Sequence, residues 1–148
     1  MSSDKLTDAE AKRLLEMLKQ SLTKELTFPS KGDHKEFNVV GDTKKDVFTI
    51  RIYRGKINSQ KYDLGARIQV NNILLLELHI NPSNVHINPD GQKLLGSHWH
   101  IYSEQYGRAY AFPADDIESD KFVDNTLTFL KKFNVVTYPK IKFQLELV

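Results

Sequence analysis

Hydrophobic residues recur at every second position over much of the segment 36–112, and turn-forming residues interrupt the pattern every few positions. A period of two is typical of strands with one buried face, because successive side chains point to opposite sides of a sheet. We therefore predict an antiparallel meander with strands at 36–41, 46–54, 60–70, 73–80, 98–103 and 108–112. Segment 41–46 and the pair Asn71-Asn72 are predicted hairpin turns, since Asn tolerates the positive φ of a two-residue turn.

The connection 81–97 carries two Asn-Pro steps and an Asp-Gly step. Such residues favour turns, so we predict a structured loop that joins two strands and contains no strand of its own. Asn88 to Gly91 is interpreted first as a tight turn, in which Pro fixes φ and Gly takes the positive φ. We expect the loop to lie over the face of the sheet that carries His98 and His100.

Two segments predict helices. Thr7 and Glu10 form a capping-box pattern, and leucines then recur at three- and four-residue spacing as far as Leu26, so we expect one helix that ends before Pro29. A second helix is predicted over 118–133 from the spacing of its apolar residues. The alternation in 141–147 predicts a final strand with one buried face.

These elements predict one α+β domain over residues 1–148. We expect a curved, mainly antiparallel sheet of six or seven strands, with the N-terminal helix and helix 118–133 packed on its apolar face. The 148 residues are 40% hydrophobic and 27% charged, which is typical of a globular chain that buries one core. The absence of cysteine excludes disulfides and zinc-thiolate sites, and leaves His, Asp and Glu as metal ligands.

The formal net charge is +2, and Lys and Arg dominate residues 44–67. That balance permits nucleic acid as a partner without indicating it. No apolar run approaches the roughly 18 residues of a membrane span, and the first residues lack the apolar core of a signal peptide. We expect a cytoplasmic protein that does not bind a membrane.

Four of the five histidines lie between 79 and 100, in the stretch of the chain most suited to chemistry. On a strand, His98, His100 and Tyr102 project from one side, and Trp99 projects from the other. The candidate catalytic residues are His98, His100, Glu104, Tyr102 and His86. Glu77 and His79 alternate onto one face of the preceding strand, and pairing of the two strands could bring them beside the His98/His100 pair.

The leading functional hypothesis is phosphodiester chemistry on nucleic acid, with RNA as the expected partner and with no metal or cofactor. His98 and His100 would act as base and acid, because imidazole exchanges protons near pH 7. Cationic and aromatic side chains would bind phosphates and stacked bases. The candidate substrate-binding residues are Arg54, Lys61, Tyr62, Arg67, Tyr106 and Arg108.

Three alternatives stay open. A metal-dependent enzyme could use His98, His100 and Glu104, a spacing that resembles the first half of a cupin metal motif, although no later histidine supplies that motif's last ligand. A non-catalytic module, such as an antitoxin, immunity or anti-defence protein, could bind a host or phage protein. The two histidines could also be ordinary hydrogen-bonded surface residues.

The strings LELHINPSNVHINPDGQ and HWHIYSEQYGRAYAFP carry a family resemblance. The chain from about Arg51 to Pro113 resembles a family of small uncharacterised bacterial proteins met in prophage and mobile-element neighbourhoods, with an HxNPDG loop followed by an HxHIYxExYG strand and turn. The resemblance implies no established reaction. After the glycine this chain has Arg108-Ala109-Tyr110, where the family it resembles has a more charged sequence similar to Asp-Lys-Trp.

A last expectation concerns the surroundings of the His98/His100 pair. At least one of four polar side chains should lie within hydrogen-bonding or one-water reach of the pair, with an arginine or lysine close by. An acid-base or metal pair needs such a residue to fix its tautomer, whereas a surface pair does not. The four side chains are those of Glu77, His79, His86 and Tyr102.

Overall fold

The computed structural model describes residues 5–57, 61–115, 117 and 121–142. The helices are α1 (Asp8–Glu16) and α2 (Phe122–Lys132). The strands are β1 (Lys19–Ser21), β2 (Glu25–Thr27), β3 (His34–Val40), β4 (Val47–Arg54), β5 (Tyr62–Ile68), β6 (Leu74–Ile80), β7 (Val85–Ile87), β8 (Lys93–Leu95), β9 (His98–Ile101), β10 (Ala111–Pro113), β11 (Val135–Thr137) and β12 (Lys140–Lys142). The predicted α+β class is confirmed.

The main sheet has eight strands in the order β10-β9-β6-β5-β4-β3-β1-β11. All its pairings are antiparallel except that of β1 with β11, so the predicted antiparallel sheet is confirmed with one or two more strands than expected. Two smaller sheets join β12 to β2 and β7 to β8.

One apolar face of the main sheet forms the core. Ile50, Leu64 and Leu78 are fully buried there on neighbouring strands. Both helices cover this face, as predicted: Leu14 of α1 belongs to the same core cluster, and Phe129 of α2 stacks on Trp99 with ring centroids 6.1 Å apart. The opposite face of the central strands is therefore left for polar residues.

The long N-terminal helix predicted as far as Leu26 is wrong beyond Glu16. The capping box at Thr7 forms as expected, but the later leucines lie in or beside β1 and β2, and Leu18 and Leu22 are more than 60% exposed. The reason is tertiary: β1 pairs with β3 and β11, and these ladder hydrogen bonds outweigh a helical stripe of leucines.

The loop 81–97 also differs from the prediction, because it contains the hairpin β7–β8 with its turn at residues 88–91. The turn at Asn71-Asn72 is longer than two residues, and only Asn72 has a positive φ. Helix α2 begins at Phe122; residues 118–120 lie outside the described part. The final strand is described only as β12, since residues 143–148 lie outside it.

Within the described residues, neither α1 nor α2 has the length and apolar character needed to cross a bilayer.

Candidate metal centre

Strands β6 and β9 create the site through their register. His79 lies directly opposite His98, and Glu77 lies directly opposite His100. Because side chains alternate along each strand, all four project from the polar face, while Trp99 between the two histidines packs into the core. The pairing of β6 with β9, which segment 81–97 connects, thus places three imidazoles together.

The hairpin β7–β8 adds a fourth imidazole. The His86 ring lies 5.0 Å from that of His98, nearly parallel to it, and 5.1 Å from that of His100. The expectation that the loop covers the His98/His100 face is confirmed. This cover explains why His98 and His100 are only 1% and 6% exposed.

The three strand histidines form a compact cluster. Ring centroids are 5.2 Å apart for His79 and His98, 4.7 Å for His79 and His100, and 5.0 Å for His98 and His100. One ring nitrogen from each lies within 4.8 Å of the others. The expected polar neighbour of the pair is thus present. Arg108 supplies the nearby cation, since its guanidinium donates to Glu77, which lies opposite His100.

Backbone carbonyls fix the tautomers of His98 and His100. Nδ1 of His98 donates to the Gly96 carbonyl over 3.0 Å, and Nδ1 of His100 donates to the Arg108 carbonyl over 2.6 Å. A carbonyl can only accept, so each Nδ1 carries the proton and each Nε2 keeps its lone pair in the neutral ring. Metal-binding histidines commonly have this arrangement, with the non-ligating nitrogen on a carbonyl or carboxylate.

A buried carboxylate orients His79 in the same way. Nε2 of His79 is 3.2 Å from Oε1 of Glu77, and no described residue forms a hydrogen bond with Nδ1 of His79. Arg108 holds Glu77 in turn with two hydrogen bonds from its guanidinium. Burial would raise the pKa of Glu77, but the hydrogen bonds from His79 and Arg108 outweigh it, and the pKa is lowered.

His86 is oriented by Asn88, which the structure shows to be more than a turn residue. The Asn88 amide is buried and forms two hydrogen bonds with the backbone of Ala111, donating to its carbonyl over 2.9 Å and accepting from its NH over 2.7 Å. The same amide oxygen is 3.0 Å from Nε2 of His86, so that nitrogen is the donor. Within the part of the chain that the structure describes, Nδ1 of His86 has no hydrogen-bond partner.

Burial also lowers the pKa of His98, and it lowers the pKa of His100 to about 4, with the neighbouring imidazoles contributing in the same direction. Both rings are therefore neutral near pH 7. Neutral imidazole is the form that coordinates a metal ion.

An open cleft of about 490 Å³ lies above the cluster. Its walls come from the hairpin and from the segment that leads into β10, and they include Asn84, His86, Ile87, Pro89, Arg108 and Ala109. Three imidazoles that share a tetrahedral ion at about 2.1 Å from each nitrogen would have ring centres about 5 Å apart, as these do. An ion held by these three histidines would be accessible from the cleft, which His86 also lines.

Two further candidates from the predicted catalytic set lie outside the cluster. Glu104 lies in the turn between Ser103 and Gly107, where it accepts from the backbone NH of Asp8 at the start of α1. The Tyr102 hydroxyl bonds to both the NH and the carbonyl of Leu6. Both residues therefore attach α1 to the sheet.

The predicted substrate-binding residues divide between the two faces of the sheet. Tyr62 is fully buried in the core, and Arg54 lies on the same side with its guanidinium over the Phe122 ring, because both occupy core-facing positions of their strands. Arg67 and Arg108 border the polar face, where Arg67 pairs with Glu36. The remaining two lie apart from the cluster: Lys61 is exposed, and Tyr106 stacks on Tyr110.

His79 and Glu77 were expected near the pair as residues that orient it, not as a metal ligand and its partner, and Asn88 was expected only in a turn. Glu77 and His79 are two residues apart on β6 and therefore share a face of the strand, and this spacing is the feature of the sequence that could have revealed their roles. For Asn88 the sequence offers no signal, since its partner is the backbone of Ala111.

Fold and site together define an α+β protein with a histidine cluster on the polar face of an open, mostly antiparallel sheet. The chain belongs to a family of unknown function, DUF6978, whose model matches residues 6–135. The match is wider than the segment from Arg51 to Pro113 and includes α1. Comparison with curated proteins and with solved structures gives no match.

Proposed function

We propose that this protein is a metal-dependent hydrolase whose ion is held by His79, His98 and His100. One observation carries the proposal: three imidazole nitrogens within 4.8 Å of one another at the base of an open cleft. Neutral histidines favour zinc or a similar first-row ion. Three protein ligands with a fourth position open to the cleft are typical of catalytic sites, whereas structural zinc sites are closed.

Such an ion supplies a water molecule whose pKa falls to about 7. Residues of the chain would accept the proton and hold the histidines in position. His86 lines the cleft, and among the described residues its Nδ1 has no hydrogen-bond partner, so this nitrogen can accept a proton or orient a water molecule. Asn88 holds the other nitrogen of His86, and Glu77 holds His79, so neither ring needs to reorient during a reaction.

The metal centre is better supported than acid-base catalysis by His98 and His100 alone. An acid-base pair needs one protonated imidazole, but the pKa of both rings is lowered, and that of His100 lies at about 4. In addition, Nδ1 of each ring is already bound to a carbonyl. The lowered pKa leaves little imidazolium near pH 7. The Nδ1 hydrogen bonds leave Nε2 of each neutral ring as the atom that can bind a metal ion.

The first test is metal content. Elemental analysis of purified protein, followed by Co²⁺ titration of the metal-free form, should give about one equivalent of bound ion and the intense visible absorption of tetrahedral Co²⁺. His98→Gln and His100→Gln should abolish the absorption. His34→Gln is the matched control, because His34 is the exposed fifth histidine on β3.

The second test is hydrolysis. Zinc-loaded protein should cleave bis(p-nitrophenyl) phosphate or p-nitrophenyl acetate, and His86→Gln should lower kcat at least tenfold while one ion stays bound. Protein that binds no ion, or an activity that survives His98→Gln and chelation, would overturn the proposal.

A further inference from the structure

The polar face continues from the metal centre into a second depression, over β5. This groove has a volume of about 300 Å³ and is lined by Arg51, Asp63, Gly65, Arg67, Glu77 and Arg108, together with His79. His79 and Arg108 line both depressions, so the groove adjoins the cleft.

Gly65 forms the floor of the groove. It lies in mid-strand, opposite Arg51 on β4 and opposite Glu77 on β6. A Cβ on Gly65 would contact Leu74 at 3.4 Å and Glu77 at 3.8 Å, which are ordinary distances, and the backbone of Gly65 is not in the positive-φ region. The fold therefore has no need of glycine here. A glycine inside a strand is destabilising and often marks the close approach of a ligand.

Of the three arginines that line the groove, two form ion pairs with described residues. Arg108 is paired with Glu77, and Arg67 is paired with Glu36. Among the described residues, Arg51 forms no ion pair; its guanidinium lies 5.6 Å from the centroid of its neighbour Tyr53. Asp63 faces His79 at the end nearer the metal centre.

We infer that the groove binds a phosphate group of the substrate, seated on Gly65 against Arg51. The inference rests on the proposed hydrolase function and specifies its substrate. Gly65 is two strand spacings from His100, through Glu77, which is about 10 Å. The phosphate is therefore a recognition group, and the bond that reacts at the ion lies about 10 Å away.

The substrate class is a small phosphorylated molecule in which about 10 Å separates the phosphate group from the bond that reacts. A nucleic acid strand needs a series of cations along its backbone, and its binding depends steeply on salt. This groove offers Arg51 and has carboxylates at Asp63 and Glu77. A guanidinium beside a glycine floor suits one phosphate.

The test is a titration of ¹⁵N-labelled, as-purified protein with inorganic phosphate, at an ionic strength held constant with sodium chloride. Saturable shifts are expected at the amides around Gly65 and at the Nε–H of Arg51. Gly65→Val, which fills the groove, and Arg51→Met should each weaken binding at least tenfold. The matched control is Arg13→Met, which removes one exposed charge from α1 on the other side of the sheet and should bind like wild type.

Equal weakening in all three variants, or unchanged binding by Gly65→Val, would overturn the inference. Gly65→Ala separates binding from folding, since it should melt no lower than wild type and yet bind phosphate more weakly. A ten-nucleotide RNA that binds far more tightly than a nucleoside monophosphate, with a steep salt dependence, would overturn the small-molecule assignment. Metal content is measured in parallel. Protein that holds one ion but binds no phosphate would contradict this inference alone. Protein that binds phosphate but holds no ion would contradict the proposed function alone.

Discussion

The side chain of Asn88 closes the β7–β8 hairpin onto the main sheet through two hydrogen bonds with the backbone of Ala111, which lies 23 residues further along the chain. The same amide fixes the tautomer of His86. One buried side chain thus both holds the hairpin against the sheet and orients an imidazole that lines the cleft.

Asn88→Ala should release the hairpin. It leaves a buried carbonyl and a buried NH of Ala111 without partners, at a cost of about 2–4 kcal/mol in the free energy of unfolding. Amide hydrogen exchange should accelerate over residues 85–95, while the affinity for zinc falls little, because His86 is not one of the three ligands. Asn71→Ala, in an exposed turn, is the control; equal exchange rates in the two variants would contradict the role given to Asn88.

Glu77→Gln should weaken zinc binding about 10- to 100-fold, because the residue that orients a ligating histidine is replaced by an amide that can also donate. Competition with a chromophoric chelator measures this affinity. Glu36→Gln removes a carboxylate from the same face, where Glu36 pairs with Arg67, and should leave the affinity unchanged. A wild-type affinity in Glu77→Gln would show that His79 is positioned without Glu77.

The metal-free protein should lose stability as the pH falls from 6.5 toward 4. The pKa of His100 is about 4 in the folded chain and about 6.5 when unfolded, so in this window the unfolded chain binds the additional proton and is favoured. At pH 5 the loss relative to pH 7 should be about 2 kcal/mol from this residue. Urea unfolding at both pH values measures it, and His100→Gln should show a smaller loss than wild type; an equal loss would rule out His100 as the source.

Lys19→Met should destabilise the fold without changing the metal centre. The ammonium group is buried and donates to the carbonyls of Leu15, Met17 and Phe133. Without it these carbonyls lose a shared partner, at a cost of about 2–4 kcal/mol in the free energy of unfolding. Denaturant unfolding and Co²⁺ titration are the two measurements, with the exposed Lys24→Met as control; full stability in Lys19→Met would mean that water satisfies the carbonyls.

The central strands could be predicted from sequence because the alternation of hydrophobic and polar residues shows which side chains share a face of the sheet. A strand with one buried face shows it locally, as β4 and β6 do. The segment after α1 could not be predicted in this way. Leu18, Leu22 and Leu26 fit a helical stripe, and only the pairing of β1 with β3 and β11 decides that the backbone is extended there.

The candidate site divides along the same line. The sequence by itself determined that His98 and His100 share a face and that Trp99 opposes them, because alternation along one strand is a local property. Only the tertiary structure decided that His79 is their third partner, that Asn88 orients His86, and that Gly65 and Arg51 form a groove beside them. Those relations depend on strand pairing and on contacts between side chains and the backbone. Both kinds of contact join residues that are distant in sequence, and no local sequence pattern reveals them.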